Sequence, residues 1–206
     1  MTVVEIAIAV QGAEALDVYA SIPIAYAFTE VLDPDIASSP GSLLPFGSRT
    51  LNEPRAKDYD REPGNHPLDW PKRFDLRDWA FVTARSGDHL VGGAVVVAGS
   101  PNIEMLEGRD DLALLWDIRV VPEARGHGVG TALLASGAAW ARARGARQLK
   151  VETQNTNVQA CRFYASHGFR LKSVRRGAYP ELPDEVELLW YKDLEESPLG
   201  RASGGN

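Results

Sequence analysis

Apolar residues in this chain come in short runs separated by turn formers, and their spacing alternates between a strand period and a helix period. Thr2 to Val10 alternates enough to predict a first strand. Glu14 to Tyr19 predicts a short helix, followed by Ile22-Pro23-Ile24. Ala80 to Ala84 and Leu90 to Val97 predict an antiparallel hairpin turning near Ser86-Gly87-Asp88. Gly92-Gly93 weakens its second strand or marks a bulge. Asp110-Asp111 leads into an apolar strand, Leu112 to Val121, which Pro122 ends. Thr131 to Arg144 reads as an Ala-rich helix, with Val129, Leu133, Gly137 and Trp140 near one face and Gly145 as its stop. Gln148 to Thr153 predicts a strand and Asn157 to about Ser166 a helix. Arg170 to Arg176 and Glu185 to Asp193 predict two last strands around Pro180 and Pro183.

From about Asp33 to Trp79 this patterning fails. The stretch is rich in Pro, Gly, Ser and charge, and it is too long for a simple connector. Trp70, Phe74 and Trp79 within it predict that it packs back as an ordered cover over a substrate side; a mobile insertion is the alternative. Ser197 to Asn206 is small, polar and Gly-rich, which predicts a disordered tail over 196–206. One domain is expected over 1–195, with 33–79 as its insertion.

Composition narrows the class. A chain of 206 residues, 44% hydrophobic and 24% charged, suits one globular domain. Net charge is −6, and no basic run exceeds two residues, so nucleic acid is not an expected partner. The acidic balance is consistent with a cationic small substrate and equally with ordinary solubility. No apolar run reaches the length of a membrane span and no basic region precedes the first apolar stretch, so no membrane association and a cytoplasmic location are expected. The single Cys161 excludes an intrachain disulfide and a cysteine-rich metal site. His66, His89, His127 and His167 lack metal-ligand spacing, so no metal is expected.

The chemistry starts at Arg125-Gly126-His127-Gly128-Val129-Gly130, between the apolar strand and the Ala-rich helix. A glycine-rich turn feeding a helix N-terminus is an anion site: unpaired N–H groups point outward and the helix dipole favours negative charge. The expected guest is a pyrophosphate. A Walker A loop is excluded because no lysine follows Gly130. A Rossmann fingerprint fails because its third glycine falls one position early. The remaining pattern, R-x-x-G-x-G, runs through Arg125, Gly128 and Gly130.

Further pieces follow in order: Val120-Val121-Pro122 before the loop, the strand Gln148 to Thr153, then Asn157 through Tyr164 and His167-Gly168-Phe169. Together they resemble the GNAT superfamily of acetyl-CoA-dependent N-acetyltransferases, over about residues 112–194. Within it, Trp116-Asp117-Ile118-Arg119-Val120, Glu152-Thr153-Gln154, Ala160-Cys161-Arg162-Phe163-Tyr164 and Leu189-Trp190-Tyr191 look most like streptothricin acetyltransferases. The resemblance implies an α/β fold: a single GNAT-type domain whose central twisted, mixed, mainly antiparallel sheet is flanked by helices. It implies acetyl-CoA as cosubstrate and direct transfer of the acetyl group to a primary amine in a ternary complex. A small cationic amine, such as a β-lysine-bearing antibiotic, is the expected acceptor; a polyamine, an amino-acid derivative or a protein amine are alternatives. A non-catalytic acyl-CoA-binding or regulatory module is the rival from another class. A homodimer is compatible with the superfamily, although no segment marks an interface.

The resemblance also suggests roles. The amides of Arg125 to Gly130 would hold the pyrophosphate; Arg125 would add a charged contact or be structural, and His127 is a spacer. Backbone groups of Ile118, Arg119 and Val120, on a strand that splays from its neighbour, would meet the pantetheine arm and acetyl oxygen. Asn157 and Tyr164, seven residues apart, project from roughly one helix face. Asn157 would contact the pantetheine arm. Tyr164, a phenol with a pKa of about 10, would protonate the departing thiolate. Glu152, opposite the apolar face of its strand, is a candidate base, unless Lys150 pairs with it. Asp117 is its rival, with Arg119 as a structural partner two residues away. Cys161 is expected to be a small core residue. Lys57-Asp58-Tyr59-Asp60, Trp70, Phe74, Asp75 and Trp79 could trap a cationic amine or form a solvated loop, and Tyr179 is a further candidate wall.

Overall fold

The computed structural model describes residues 5–194. A seven-stranded sheet runs in the order β1 (Ile6–Gln11), β4 (Trp79–Ser86), β5 (His89–Ala98), β6 (Leu112–Val120), β7 (Gln148–Gln154), β9 (Val186–Asp193), β8 (Arg170–Arg176). Every neighbouring pair is antiparallel except β6 and β7. The predicted α/β architecture with a mixed, mainly antiparallel sheet is therefore what forms. The predicted tail lies outside the described residues, as does the start of the predicted first strand.

Strand alternation builds a core on each face of this sheet. Val82, Ala84, Ala94 and Val96 face α2 (Val129–Ala143) and α3 (Val158–Ser166). Phe81, Val95 and Val97 face α1 (Leu16–Ala20) and an aromatic cluster formed by Tyr19, Trp70, Phe74, Trp79 and Trp116. The β4–β5 hairpin turns at Gly87, as the sequence predicts. Its bulge falls at Val91, beside Gly92-Gly93 rather than on them. Those glycines serve packing: a Cβ on Gly93 would stand 2.8 Å from the Tyr19 ring, and one on Gly92 2.8 Å from the Arg119 carbonyl.

The largest departure from the sequence reading lies in 33–79. Its first half belongs to a two-stranded ribbon, β2 (Tyr26–Ala37) with β3 (Phe46–Lys57). β3 is largely exposed, and in β2 the buried Val31 and Leu32 are adjacent rather than alternating, so no apolar alternation runs through the ribbon. Pro34 and Pro54 fall within its two register shifts, where no ladder hydrogen bond is lost. The second half holds 3₁₀ turns at Tyr59–Arg61 and Pro67–Lys72 and places Trp70, Phe74 and Trp79 in the aromatic cluster.

Asn155 fastens the ribbon to the sheet. Its Nδ2 donates to the Leu32 carbonyl at 3.0 Å and its Oδ1 accepts from the Val186 amide at 2.9 Å. Its backbone pairs with the same two residues. Asn155→Ala should therefore leave a buried carbonyl and a buried amide without partners, a loss of about 2–5 kcal/mol. Urea unfolding of the two proteins measures it; a change under about 0.5 kcal/mol would remove Asn155 from this role.

Candidate active site

The parallel pairing of β6 with β7 covers only Leu112–Leu114 against Gln148–Lys150. An extra residue, Trp116, interrupts the β5–β6 register between Leu115 and Asp117. Such a bulge bends its strand. Beyond it β6 and β7 part, and a cleft of about 840 Å³ opens between them.

Most of the predicted site residues line that cleft: Asp117, Ile118, Arg119, Val120, Arg125, Gly126, Gly128, Gly130, Glu152, Asn157 and Tyr164. Two do not. Val129 is buried in the core, and His127 is exposed with Nδ1 2.9 Å from the Arg125 carbonyl, so each has only its backbone to offer.

The glycine loop meets the cleft at the start of α2. The helix begins at Val129, two residues before the predicted start, because Gly128 caps it in the left-handed region (φ 83°). Gly126 shares that conformation (φ 77°), and no atom lies within 4 Å of where either Cβ would stand. A helix start has amides without intrahelical partners, which here are those of Val129, Gly130 and Thr131. Arg125 takes the structural role: Nε donates to the Val120 carbonyl at 3.0 Å and Nη2 to the Ala25 carbonyl at 3.4 Å, tying the loop to β6.

The exposed edge of β6 is narrower than expected. The Val121 amide donates to the Val91 carbonyl at 3.0 Å, so the Val120 carbonyl, on the same peptide, points away from β5. Alternation then turns the backbone groups of Ile118 and Val120 toward the open side and those of Arg119 toward β5. With the Val120 carbonyl held by Arg125, the edge offers both groups of Ile118 and the amide of Val120.

Arg119 matters through its side chain instead, which is 2% exposed. Nε donates to Asp117 at 2.7 Å, and Nη1 and Nη2 donate to the two Asp60 oxygens at 2.8 Å. Nη1 also donates to the Ile22 carbonyl at 3.0 Å. Asp117 thus has the structural partner foreseen for it while lining the cleft; burial raises its pKa against the pull of Arg119. Asp60 is corrected from a candidate amine ligand to a partner of Arg119. Its neighbours are also engaged: Lys57 pairs with Glu185 at 2.5 Å, and Asp58 accepts from the Asp60 amide at 3.2 Å. Asp75 pairs with Arg77 on the surface. The solvated-loop alternative fails too, since Lys57, Tyr59 and Asp60 are directed into the protein.

Glu152 faces the cleft without Lys150. Lys150 turns instead to Glu107 (2.7 Å) and the Met105 carbonyl (3.1 Å). Oε1 of Glu152 accepts from the Tyr179 hydroxyl at 2.5 Å, and burial raises its pKa. Across the cleft Tyr164 is buried, which raises its phenol above the ordinary value and keeps it protonated. Asn157 is the cap of α3 rather than a residue of its face: its Oδ1 accepts from the Ala160 amide at 3.1 Å. Burial pushes the Cys161 thiol up to about 11, which disfavours a thiolate nucleophile.

Sequence reasoning missed Tyr26, Asn65, Arg73, Met105 and Gln154, all of which line the cleft. Gln154 alone had a signal, beside Glu152. Among the described residues no group of three His, Cys, Asp or Glu side chains is placed to hold a metal, and no helix is long and apolar enough to cross a membrane.

A model of the Acetyltransferase (GNAT) family matches residues 49–169, more than half of the chain. Streptothricin acetyltransferase A of Bacillus subtilis (strain 168) is 41% identical over 81 residues, which are 38% of this chain and 47% of that protein. Streptothricin acetyltransferase of Escherichia coli is 35% identical over 92 residues, 43% of this chain and 53% of that protein. These alignments span about half the length of the curated relatives. A crystal structure from Bacillus anthracis str. Ames, provisionally described as a streptothricin acetyltransferase and in complex with acetyl coenzyme A, superposes with a TM-score of 0.71 at 23% identity, over 93% of this chain and 99% of that one.

Asp60→Ala removes two hydrogen bonds from a guanidinium that stays buried. A loss of about 2–4 kcal/mol in urea unfolding is expected, together with faster limited proteolysis near residues 58–61. An unchanged midpoint would show that Asp60 contributes nothing to the cluster.

Proposed function

The chain belongs to the GNAT acetyltransferase family, and from that premise we propose that it transfers the acetyl group of acetyl-CoA to a primary amine of a small cationic molecule, with streptothricin as the first candidate. The observation that carries this reading is the parting of β6 from β7 directly beside the glycine loop, with Glu152 and Tyr164 on the walls of the opening.

Acetyl-CoA fits the groups on offer. Its pyrophosphate would meet the bare backbone of Gly126 and Gly128 and the free amides of Val129 to Thr131, where the helix dipole favours negative charge. Its pantetheine arm would pair with the open edge of β6 at Ile118 and Val120. When bound, the thioester supplies the activated acetyl group. An edge amide such as that of Ile118 is a fixed donor for negative charge developing on a carbonyl oxygen. Glu152 accepts the proton that the substrate ammonium loses, and its raised pKa makes it a stronger base than an exposed glutamate. Tyr164 holds its proton at neutral pH and gives it to the thiolate that leaves. Direct transfer is favoured over a cysteine route by the inert environment of Cys161.

The substrate reading rests on the far end of the cleft. Tyr26, Tyr59, Trp70 and Trp116 supply aromatic walls, and Glu152 supplies a carboxylate without a cationic partner among the described residues, while Asp117 is paired with Arg119. Residues 58–73 cover this end. Aromatic faces with carboxylates recognise an ammonium by charge and cation–π contact. The B. subtilis and E. coli relatives support streptothricin over a polyamine or a protein amine.

Thiol release from acetyl-CoA with a panel of streptothricin, lysine, spermidine and an N-terminal peptide tests the reaction and ranks the acceptors. In Tyr164→Phe, turnover should fall about 10²–10⁴-fold with acetyl-CoA affinity kept; undiminished turnover would exclude Tyr164 as the acid. Gly128→Val forces a branched side chain into the left-handed region at the pyrophosphate loop. Calorimetry should show coenzyme A binding weakened about tenfold or more, and equal affinity would place the pyrophosphate elsewhere.

A further inference from the structure

Three hydrogen bonds run in one direction toward the Glu152 carboxylate. Tyr59, in the 3₁₀ turn of the insertion, donates to Oε1 of Gln154 at the end of β7. Nε2 of Gln154 donates to the Tyr179 hydroxyl, in the β8–β9 connection, at 2.9 Å, and at 3.4 Å directly to Oε1 of Glu152. Tyr179 then gives its own proton to Oε1 of Glu152 at 2.5 Å. Among the described residues Oε2 of Glu152 has no hydrogen-bond partner.

Gln154 sets the direction of this chain. A primary amide accepts at its oxygen and donates at its nitrogen. The Tyr59 proton can go only to the oxygen, so the nitrogen is turned toward Tyr179. The Tyr179 oxygen is then filled by that donor, and its single proton is left for Glu152. Remove the Tyr59 hydroxyl and the amide is held in this sense only by the long 3.4 Å donation of its Nε2 to Oε1 of Glu152. Reversed, its oxygen would take the Tyr179 proton, and Oε1 of Glu152 would lose both its donors, the Tyr179 hydroxyl and the Gln154 amide.

Resting on the reading of Glu152 as base, we propose that Tyr59 is a remote positioning residue: by fixing the Gln154 amide it directs the Tyr179 proton onto Oε1 and leaves Oε2 to the amine substrate. Two tyrosines from segments outside the β6–β7 core thereby orient the base. The other groups facing Glu152 are Glu187 on β9, which opposes its ionisation, and Lys150 on β7 and Arg175 on β8, which favour it. Tyr59 itself has the Lys57 ammonium 4.9 Å from its ring centroid and Tyr26 3.4 Å from its hydroxyl.

The test uses the full chain labelled with ¹³C at glutamate carboxyls, free of ligand. The Glu152 resonance is assigned by its loss in Glu152→Gln. Its titration midpoint is measured in wild type, Tyr59→Phe, Tyr179→Phe and the double variant, with melting temperatures confirming that each is folded. Removing a donor from a carboxylate should raise the midpoint by about one pH unit. An upward shift is expected in both single variants, and in the double a shift smaller than their sum, because they act on one chain. A midpoint that stays put in Tyr59→Phe, or shifts that add in the double, would overturn the proposal. The reading beneath it is checked separately. Glu152→Gln should abolish the acidic limb of kcat/KM for the best amine of the panel. A limb that survives removes Glu152 as base, whatever the resonance does.

Discussion

A guanidinium shut away from water must be surrounded by acceptors, and Arg119 is surrounded from three segments of the chain. Asp117 reaches it from its own strand, Asp60 from the 3₁₀ turn of the insertion, and the Ile22 carbonyl from the segment after α1. None of these acceptors can be withdrawn without leaving charge buried and poorly paired. The cluster therefore ties residues 58–61 to the sheet at the far side of the cleft. It also explains why a polar strand interior is tolerated in a region that otherwise packs aromatic rings.

The same strand performs a second task on its other edge. Where β6 leaves β7, its backbone groups give up sheet partners, which is costly unless something else bonds them. Arg125 takes one carbonyl, and the rest are the groups assigned to the pantetheine arm. The open edge and the loss of sheet pairing are one feature, lying just beyond Leu114 and beside the extra residue at Trp116. The rest of the sheet compensates. Asn155, Lys150 with Glu107, and the Lys57–Glu185 pair fasten the flanking segments to strands that the opening has loosened.

How much of this could be read from residues alone depended on how local the determinant was. The glycine loop, the hairpin at Gly87, the stop at Gly145 and the extent of α3 are set by neighbours in sequence, and all were legible. That Asn157 lines the cleft was legible, but not that it caps α3, because a cap and the first residue of a helix face are one position apart. The β2–β3 ribbon was invisible: β3 lies largely exposed, β2 buries the adjacent pair Val31 and Leu32 instead of alternating, and the prolines argued against strand. Asp60 was misread because its partner is 59 residues away, and a carboxylate in a Pro-rich stretch looks solvated. The meeting of Tyr26, Tyr59, Gln154 and Tyr179 is likewise tertiary, drawn from four separate segments.

The ribbon's prolines bear on how the molecule behaves in a crowded solution. A two-stranded ribbon of 12 residues a side presents outer rows of amides and carbonyls, to which a stranger's strand could add wherever Asn155 does not already bond them, as it does at Leu32. Pro34 and Pro54 each delete a donor and sit where the pairing already slips, so neither row offers a long uninterrupted template. The exposed part of the ribbon can thus stay open to solvent without seeding edge-to-edge aggregates, and replacing both prolines with residues that favour strands would take that protection away.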